Sequence, residues 1–189
     1  ASSAASDVYK RQILGEARLG KSIVILGAGT IGLMVLQACK SLGATDITVV
    51  DVMDKRLDLA KELGASRTIN GAKEDTVALL RSEELFGDHG VELVFECAGS
   101  TFTANQAVQI VARGGKIMMV GTQSKPVPID FLKINREVTI QTSFRYCNNY
   151  PQTIEAIRSG KFNVKDMVTH VYDYKDVQQA FMDAIDPEK

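Results

Sequence analysis

The sequence is short of the residues that most often hold metal ions. Its 189 residues include three cysteines, Cys39, Cys97 and Cys147, and two histidines, His89 and His170. The cysteines are odd in number, lie far apart and form no C-x-x-C pair, which argues against a disulfide framework and a structural zinc knuckle. No cysteine or histidine precedes Gly27. No apolar run is long enough to span a bilayer, and no secretory signal is visible. Net charge is −1, with no basic stripe, so nucleic acid and anionic membrane are excluded as expected partners. There is no internal repeat. A reducing, cytoplasmic setting is the expectation.

The stretch from Ser22 to Asp51 carries most of the information. Ser22-Ile23-Val24-Ile25-Leu26 is a short apolar run rich in β-branched residues, as expected of a strand buried on both faces. Gly27-Ala28-Gly29-Thr30-Ile31-Gly32 follows, a full G-x-G-x-x-G turn. Ile31, Met34, Val35, Ala38, Cys39 and Leu42 then fall at offsets 0, 3, 4, 7, 8 and 11, one apolar helical stripe that Gly43 stops. Ile47-Thr48-Val49-Val50 makes a second strand with Asp51 at its carboxyl end. In this pattern the first glycine permits a tight turn, the second lets a pyrophosphate approach the backbone, and the third lets helix and strand pack closely. The helix N-terminus supplies free N–H groups and a positive dipole end. Asp51, 19 residues after Gly32, stands where an acid accepts hydrogen bonds from a ribose hydroxyl. Its charge would repel a 2′-phosphate, which favours NAD over NADP; Lys55 and Arg56 argue the other way. FAD sites and S-adenosylmethionine enzymes use related turns, so the turn alone leaves these alternatives open.

Residues 1–12 fit nothing that follows. They are similar to a translated sequencing adapter and are read as a non-native or disordered tail, outside the fold. The protein is then expected to continue upstream. From Ile13 the pattern is regular. A second helix is expected from Asp51 to Gly64, a third strand over Arg67 to Asn70, and a third helix from Glu74 to Phe86. Val91 to Glu96 reads as the fourth strand, and Ser100 or Thr101 as the cap of a helix that Gly114-Gly115 ends. Lys116 to Gly121 and Glu137 to Thr142 complete six strands. The expected fold is α/β, a doubly wound six-stranded parallel sheet with helices on both faces and a ligand across the carboxyl ends of the strands. A helix from Tyr150 to Gly160 follows. In a final helix Val177, Ala180, Phe181, Ala184 and Ile185 fall at offsets 0, 3, 4, 7 and 8, with Asp173 as a plausible cap.

The order of motifs resembles the cofactor-binding (Rossmann) domain of the zinc-dependent medium-chain dehydrogenases. The markers are the glycine turn, Asp51, Glu96-Cys97-Ala98-Gly99, and Gly114-Gly115 leading to Val120-Gly121. Ser143-Phe144-Arg145-Tyr146-Cys147-Asn148, with Asn163-Val164-Lys165 and Val168-Thr169-His170 after it, is similar to the polyol branch, the sorbitol, xylitol and L-iditol dehydrogenases. Threonine and butanediol dehydrogenases share the general pattern and stay open, as does a stand-alone NAD-binding module.

The resemblance implies an enzyme that oxidises a secondary alcohol of a polyol to a ketose by hydride transfer to NAD, a catalytic zinc polarising the hydroxyl. It implies cofactor contacts at Gly27, Gly29, Thr30, Ile31, Gly32, Asp51, Arg56, Val120, Gly121, Thr122, Ser143, Phe144 and Arg145, and substrate contacts at Arg145 and Tyr146. It also implies a homo-oligomer through the edge strand at 138–143. The family's zinc ligands belong to an N-terminal catalytic domain that has no counterpart here. No catalytic residue or metal ligand is therefore expected in this chain, which alone should be inactive. His89 is expected in a turn, His170 as a structural or substrate-side group, and Glu96 as a strand-end carboxylate accepting nearby N–H bonds. The expected organisation is an NAD-binding domain over 13–145 and a helical segment over 146–189 facing the catalytic domain.

Overall fold

A computed structural model describes residues 17–134, 137–143 and 150–185. The short apolar runs form β1 (Ser22–Leu26), β2 (Asp46–Asp51), β3 (Arg67–Asn70), β4 (Val91–Glu96), β5 (Val111–Met119) and β6 (Thr139–Thr142). They make one six-stranded sheet in the order β3-β2-β1-β4-β5-β6, and each neighbouring pair is parallel. The expected α/β sheet is therefore present. Strand order reverses between β1 and β4, so a crevice opens there at the carboxyl ends.

The helices are α1 (Thr30–Ser41), α2 (Asp54–Glu62), α3 (Thr76–Leu80), α4 (Thr101–Ile110), α5 (Tyr150–Arg158) and α6 (Val177–Ala184). Successive side chains of β1 feed opposite cores, as the pleat requires. Ile23 and Ile25 join Met34 of α1, Leu57 of α2 and Ala156 of α5 on one face, while Val24 and Leu26 join Leu80 of α3 and Val108 of α4 on the other. This two-sided burial is why the central strands read as continuous apolar runs instead of alternating ones. Helix α1 is buried around its whole circumference from Gly32 to Cys39, more than a single stripe requires.

Several boundaries differ from the sequence expectation, among them the end of the fifth strand at Met119 instead of Gly121, and three have a visible cause. Gly114-Gly115 does not end a helix: α4 stops at Ile110, β5 begins at Val111, and the glycines sit in an irregularity between the pairs Val91–Val111 and Leu93–Lys116. A side chain on Gly115 would press on the Ala112 carbonyl at 2.9 Å. The third helix ends at Leu80, not Phe86, because the Arg81 guanidinium donates to the carbonyls of Asp88, Gln109 and Val111 and holds the next residues in turns. Strand β6 starts two residues late, since Glu137 takes a positive φ of 64°.

Ser100 caps α4 as expected, accepting the N–H of Thr103 at 3.1 Å. Asp173 caps a 3-10 turn, Tyr174–Asp176, ahead of α6. Helix α6 buries none of its residues; Phe181 is 72% exposed, and Val177 and Ile185 are also exposed. Among the described residues, no helix is long and apolar enough to cross a membrane.

Candidate functional site

The glycine turn leaves β1 at the reversal point. The Gly27 N–H donates to the Val50 carbonyl at 2.7 Å, tying the turn to β2. Gly27 has a φ of 104°, and a β-carbon there would meet the backbone nitrogen of Ala98 at 2.9 Å. Gly29 differs: its φ is −70°, and a β-carbon there would meet nothing within 4 Å. As the N-cap of α1 it lends no side-chain acceptor to the first turn. The opening N–H groups of α1 are thus left for an outside acceptor, beside a backbone with open space before it.

Asp51 closes this end of the site. Its side chain is only 7% exposed. Oδ2 accepts the Ala28 N–H at 2.7 Å, and Oδ1 accepts those of Val52 at 2.8 Å and Met53 at 3.0 Å. The carboxylate therefore fixes the glycine turn from below and keeps one of its roughly four lone-pair directions for another donor. Arg56 Nη1 stands 3.9 Å from it.

A cleft of about 560 Å³ opens over Gly29 and Thr30. Met53, Lys55 and Arg56 line one side, and Met167, His170 and Tyr172, far along the chain, line the other. Gly27 and Gly32 lie beneath it as packing positions, and Ile31 packs on the core.

The second half of the sheet edge is knit by Glu96, fully buried at the end of β4. Its Oε1 accepts from the N–H groups of Ala98 and Gly99 and from the Thr103 hydroxyl, and its Oε2 from Gln123. This is the strand-end role expected of it. Val120 and Gly121 donate to its backbone carbonyl, and a β-carbon on Gly121 would come within 2.4 Å of the Gly99 nitrogen. Thr122 follows, its carbonyl oxygen 2.7 Å from where a side chain on Gly99 would be. Ser143 extends β6 by donating to the Met119 carbonyl at 2.9 Å.

The structure thus places Gly27 to Gly32, Asp51 and Arg56 at one end of the sheet's carboxyl edge, and Val120 to Thr122 with Ser143 at the other. Phe144, Arg145, Tyr146 and Cys147 lie outside the described residues. Burial pushes the Cys39 thiol up to about 12. Desolvation, then the Glu96 charge, raises the Cys97 thiol well above the ordinary range. Neither is primed as a nucleophile or metal ligand. Among the described residues, no three His, Cys, Asp or Glu side chains converge to hold a metal ion, so these residues do not fit a catalytic zinc. His170 was expected as a structural or substrate-side group; that Met167 to Tyr172 line this cleft was not legible, because the contact that holds them spans more than a hundred residues.

A family model described as zinc-binding dehydrogenase matches residues 30–159, well over half of the chain. A zinc-type alcohol dehydrogenase-like protein of Escherichia coli, YdjJ, is 60% identical over 177 residues, covering 94% of this chain and 50% of that protein. A sorbitol dehydrogenase of Bacillus subtilis is 37% identical, covering 88% of this chain and 47% of its own length. The crystal structure of an Escherichia coli oxidoreductase/dehydrogenase of unknown specificity superposes with a TM-score of 0.91 at 58% identity, covering 97% of this chain and 52% of that one. The chain spans about half the length of the curated relatives it matches.

Proposed function

This chain belongs to the zinc-binding dehydrogenase family, and from that premise we propose that it is the NAD-binding portion of an oxidoreductase acting on a polyol. The observation that carries the reading is Gly29, an uncovered backbone at the uncapped start of α1, with the Asp51 carboxylate beneath it.

In this reading the first N–H groups of α1 bind the pyrophosphate. Asp51 orders the turn and offers its remaining lone pair to the adenosine ribose, with Arg56 beside it. Val120, Gly121, Thr122 and Ser143 line the nicotinamide side, joined by Phe144 and Arg145; Arg145 and Tyr146 reach the substrate hydroxyls. The close backbone approaches at Gly27 and Gly121 hold the two halves of the cleft at fixed spacing. When bound, NAD supplies the ring that accepts the hydride. The carboxylate at Asp51 disfavours a 2′-phosphate, so NAD is the cofactor and not NADP.

The whole protein would oxidise a secondary alcohol of a polyol to a ketose; the likeness to a sorbitol dehydrogenase supports that substrate class. Zinc would be held by a catalytic domain outside this chain, against which the exposed apolar stripe of α6 would pack. Residues 13–145 would be the cofactor domain and 146–189 the connection. The exposed edge of β6 would pair copies into a homo-oligomer, in the cytoplasm.

Titration of the purified chain with NADH and NADPH, followed by nicotinamide fluorescence, tests the cofactor. Saturable NADH binding that exceeds NADPH binding is expected; no binding of either removes the reading. NAD reduction by the whole protein across sorbitol, xylitol, threonine and 2,3-butanediol tests the substrate class. Turnover confined to threonine or the diol would overturn the polyol assignment.

A further inference from the structure

We propose that residues 167–172 form the outer wall of the cofactor cleft, that Gln37 is the positioning residue that holds them there, and that His170 contacts the dinucleotide's phosphates. The inference rests on the NAD reading above and adds to it a contact that the glycine motif does not contain.

The starting point is a glutamine in the wrong place. Gln37 lies midway along α1, 5% exposed among apolar neighbours. A buried amide is costly unless each end finds a partner. Both ends of Gln37 find theirs on one residue of the C-terminal segment: Oε1 accepts the Asn163 N–H, and Nε2 donates to the Asn163 carbonyl at 3.2 Å. Nε2 also lies 3.4 Å from the Met167 sulfur. The same helix whose N-terminus opens the cleft therefore grips the segment that forms its opposite wall.

The far end of the wall is held as well. The Tyr172 hydroxyl donates to Asp183 Oδ2 at 2.6 Å, and Gln179 donates to Asp183 Oδ1 at 2.9 Å. Asp183 is the acid lining this cleft, and these donors engage both its oxygens. His170 stacks on the Tyr172 ring with centroids 6.0 Å apart. The groups left facing the cleft are Lys55 and Arg56 on α2 and His170 across from them. This is a donor-rich opening over the start of α1, in which Arg56 also faces the Asp51 carboxylate at 3.9 Å and Asp183 contributes a negative charge. A pyrophosphate presents only acceptors, which match these donors and the free N–H groups of α1. Imidazole has an N–H to donate whether neutral or charged.

Isothermal titration and thermal shift with ADP-ribose, NADH and adenosine test this on the full chain. His170 is exposed, so His170→Ala should melt like the parent without ligand. It is expected to weaken ADP-ribose and NADH roughly tenfold, the loss of one charge-assisted hydrogen bond, while leaving the adenosine response unchanged. His170→Gln, which keeps an N–H donor, should restore part of the affinity. Gln37→Glu sets a carboxylate against the Asn163 carbonyl. It is expected to weaken ADP-ribose without touching it and to admit proteolysis within 163–172. Equal ADP-ribose binding by the parent and His170→Ala overturns the phosphate contact. Parent-like ADP-ribose binding and protease resistance in Gln37→Glu overturn the positioning role. A parent chain that binds neither ADP-ribose nor NADH defeats the cofactor reading itself, an outcome distinct from either.

Discussion

A β-carbon on Gly32 would lie 1.8 Å from the carbonyl oxygen of Gly27. At Gly32 helix α1 meets the Gly27 backbone with no room for a side chain between them. Two glycines three residues apart therefore have different jobs. Gly32→Ala is expected to destabilise the fold by about 3 kcal/mol, at the upper end of overpacking costs, measured by urea unfolding. Gly29→Ala should leave the urea midpoint nearly unchanged, because its φ of −70° suits any residue and nothing lies within 4 Å. It should still weaken NADH by at least about tenfold, since a methyl group would stand where the phosphate approaches. Parent-like NADH binding by Gly29→Ala would place the phosphate elsewhere.

Asp51 joins fold and cofactor in one carboxylate. Asp51→Gly leaves the N–H groups of Ala28, Val52 and Met53 without their acceptor. Stability should fall by about 1–3 kcal/mol, the usual cost of a stranded buried donor, here chiefly the N–H of buried Ala28, since Val52 is exposed. NADH binding should weaken and the discrimination against NADPH relax, because the repelling charge is gone. Parallel fluorescence titrations with the two cofactors check this. Unchanged affinity for both would reduce Asp51 to a brace for the turn.

The legible parts of this molecule are those whose cause lies within a few residues. The six strands, the glycine turn and the cap at Ser100 follow from apolar runs, absent side chains and a hydroxyl at the right offset. The parallel sheet was likewise readable from the alternation of strands and helices, and the family from the resemblance carried by the glycine turn, Asp51 and Glu96-Cys97-Ala98-Gly99; the strand order β3-β2-β1-β4-β5-β6 came from the structure. What was misread has distant causes. Gly114-Gly115 resembles a helix stop, but its conformation is set by pairing between β4 and β5. Val77, Leu80 and the pair Leu85-Phe86 suggest a longer helix, but Arg81 reaches carbonyls some thirty positions away and ends it. The cleft wall depends on Gln37 meeting Asn163, 126 positions on. Its local traces were the Val168-Thr169-His170 run and a glutamine just off the apolar stripe of α1.

Glu96 carries the second half of the site in the same way that Asp51 carries the first. It is fully buried, and its oxygens accept from Ala98, Gly99, Thr103 and Gln123. Glu96→Ala strands the first two backbone donors and empties the space beside Gly121. A loss of about 3 kcal/mol or more is expected from the unsatisfied buried donors. Urea unfolding measures it. A loss under about 0.5 kcal/mol, the range of ordinary surface changes, would show that water replaces the carboxylate without cost.

Cys39 makes the stability of this chain depend on alkaline pH. The side chain is fully buried on α1 and its thiol is raised from the ordinary 9.0 to about 12 by burial. The folded chain therefore keeps a proton that the unfolded chain releases. Below the unfolded value the contribution is fully present. As pH rises from about 9 toward 12 it is lost, because ionising the unfolded thiol stabilises only the unfolded state. The slope approaches about 1.4 kcal/mol per pH unit only well above pH 9, so the loss between pH 9 and pH 10 is about 1 kcal/mol. The raised Cys97 thiol acts in the same direction. Cys39→Ala removes one titrating group and leaves the lysines, tyrosines and Cys97 shared with the parent. Urea unfolding of both chains at pH 8 and pH 10 should show a smaller loss in the variant, by about 1 kcal/mol. Equal losses in the two chains would mean that the Cys39 thiolate is solvated in the folded state, by water entering beside α1 or by local opening of that helix.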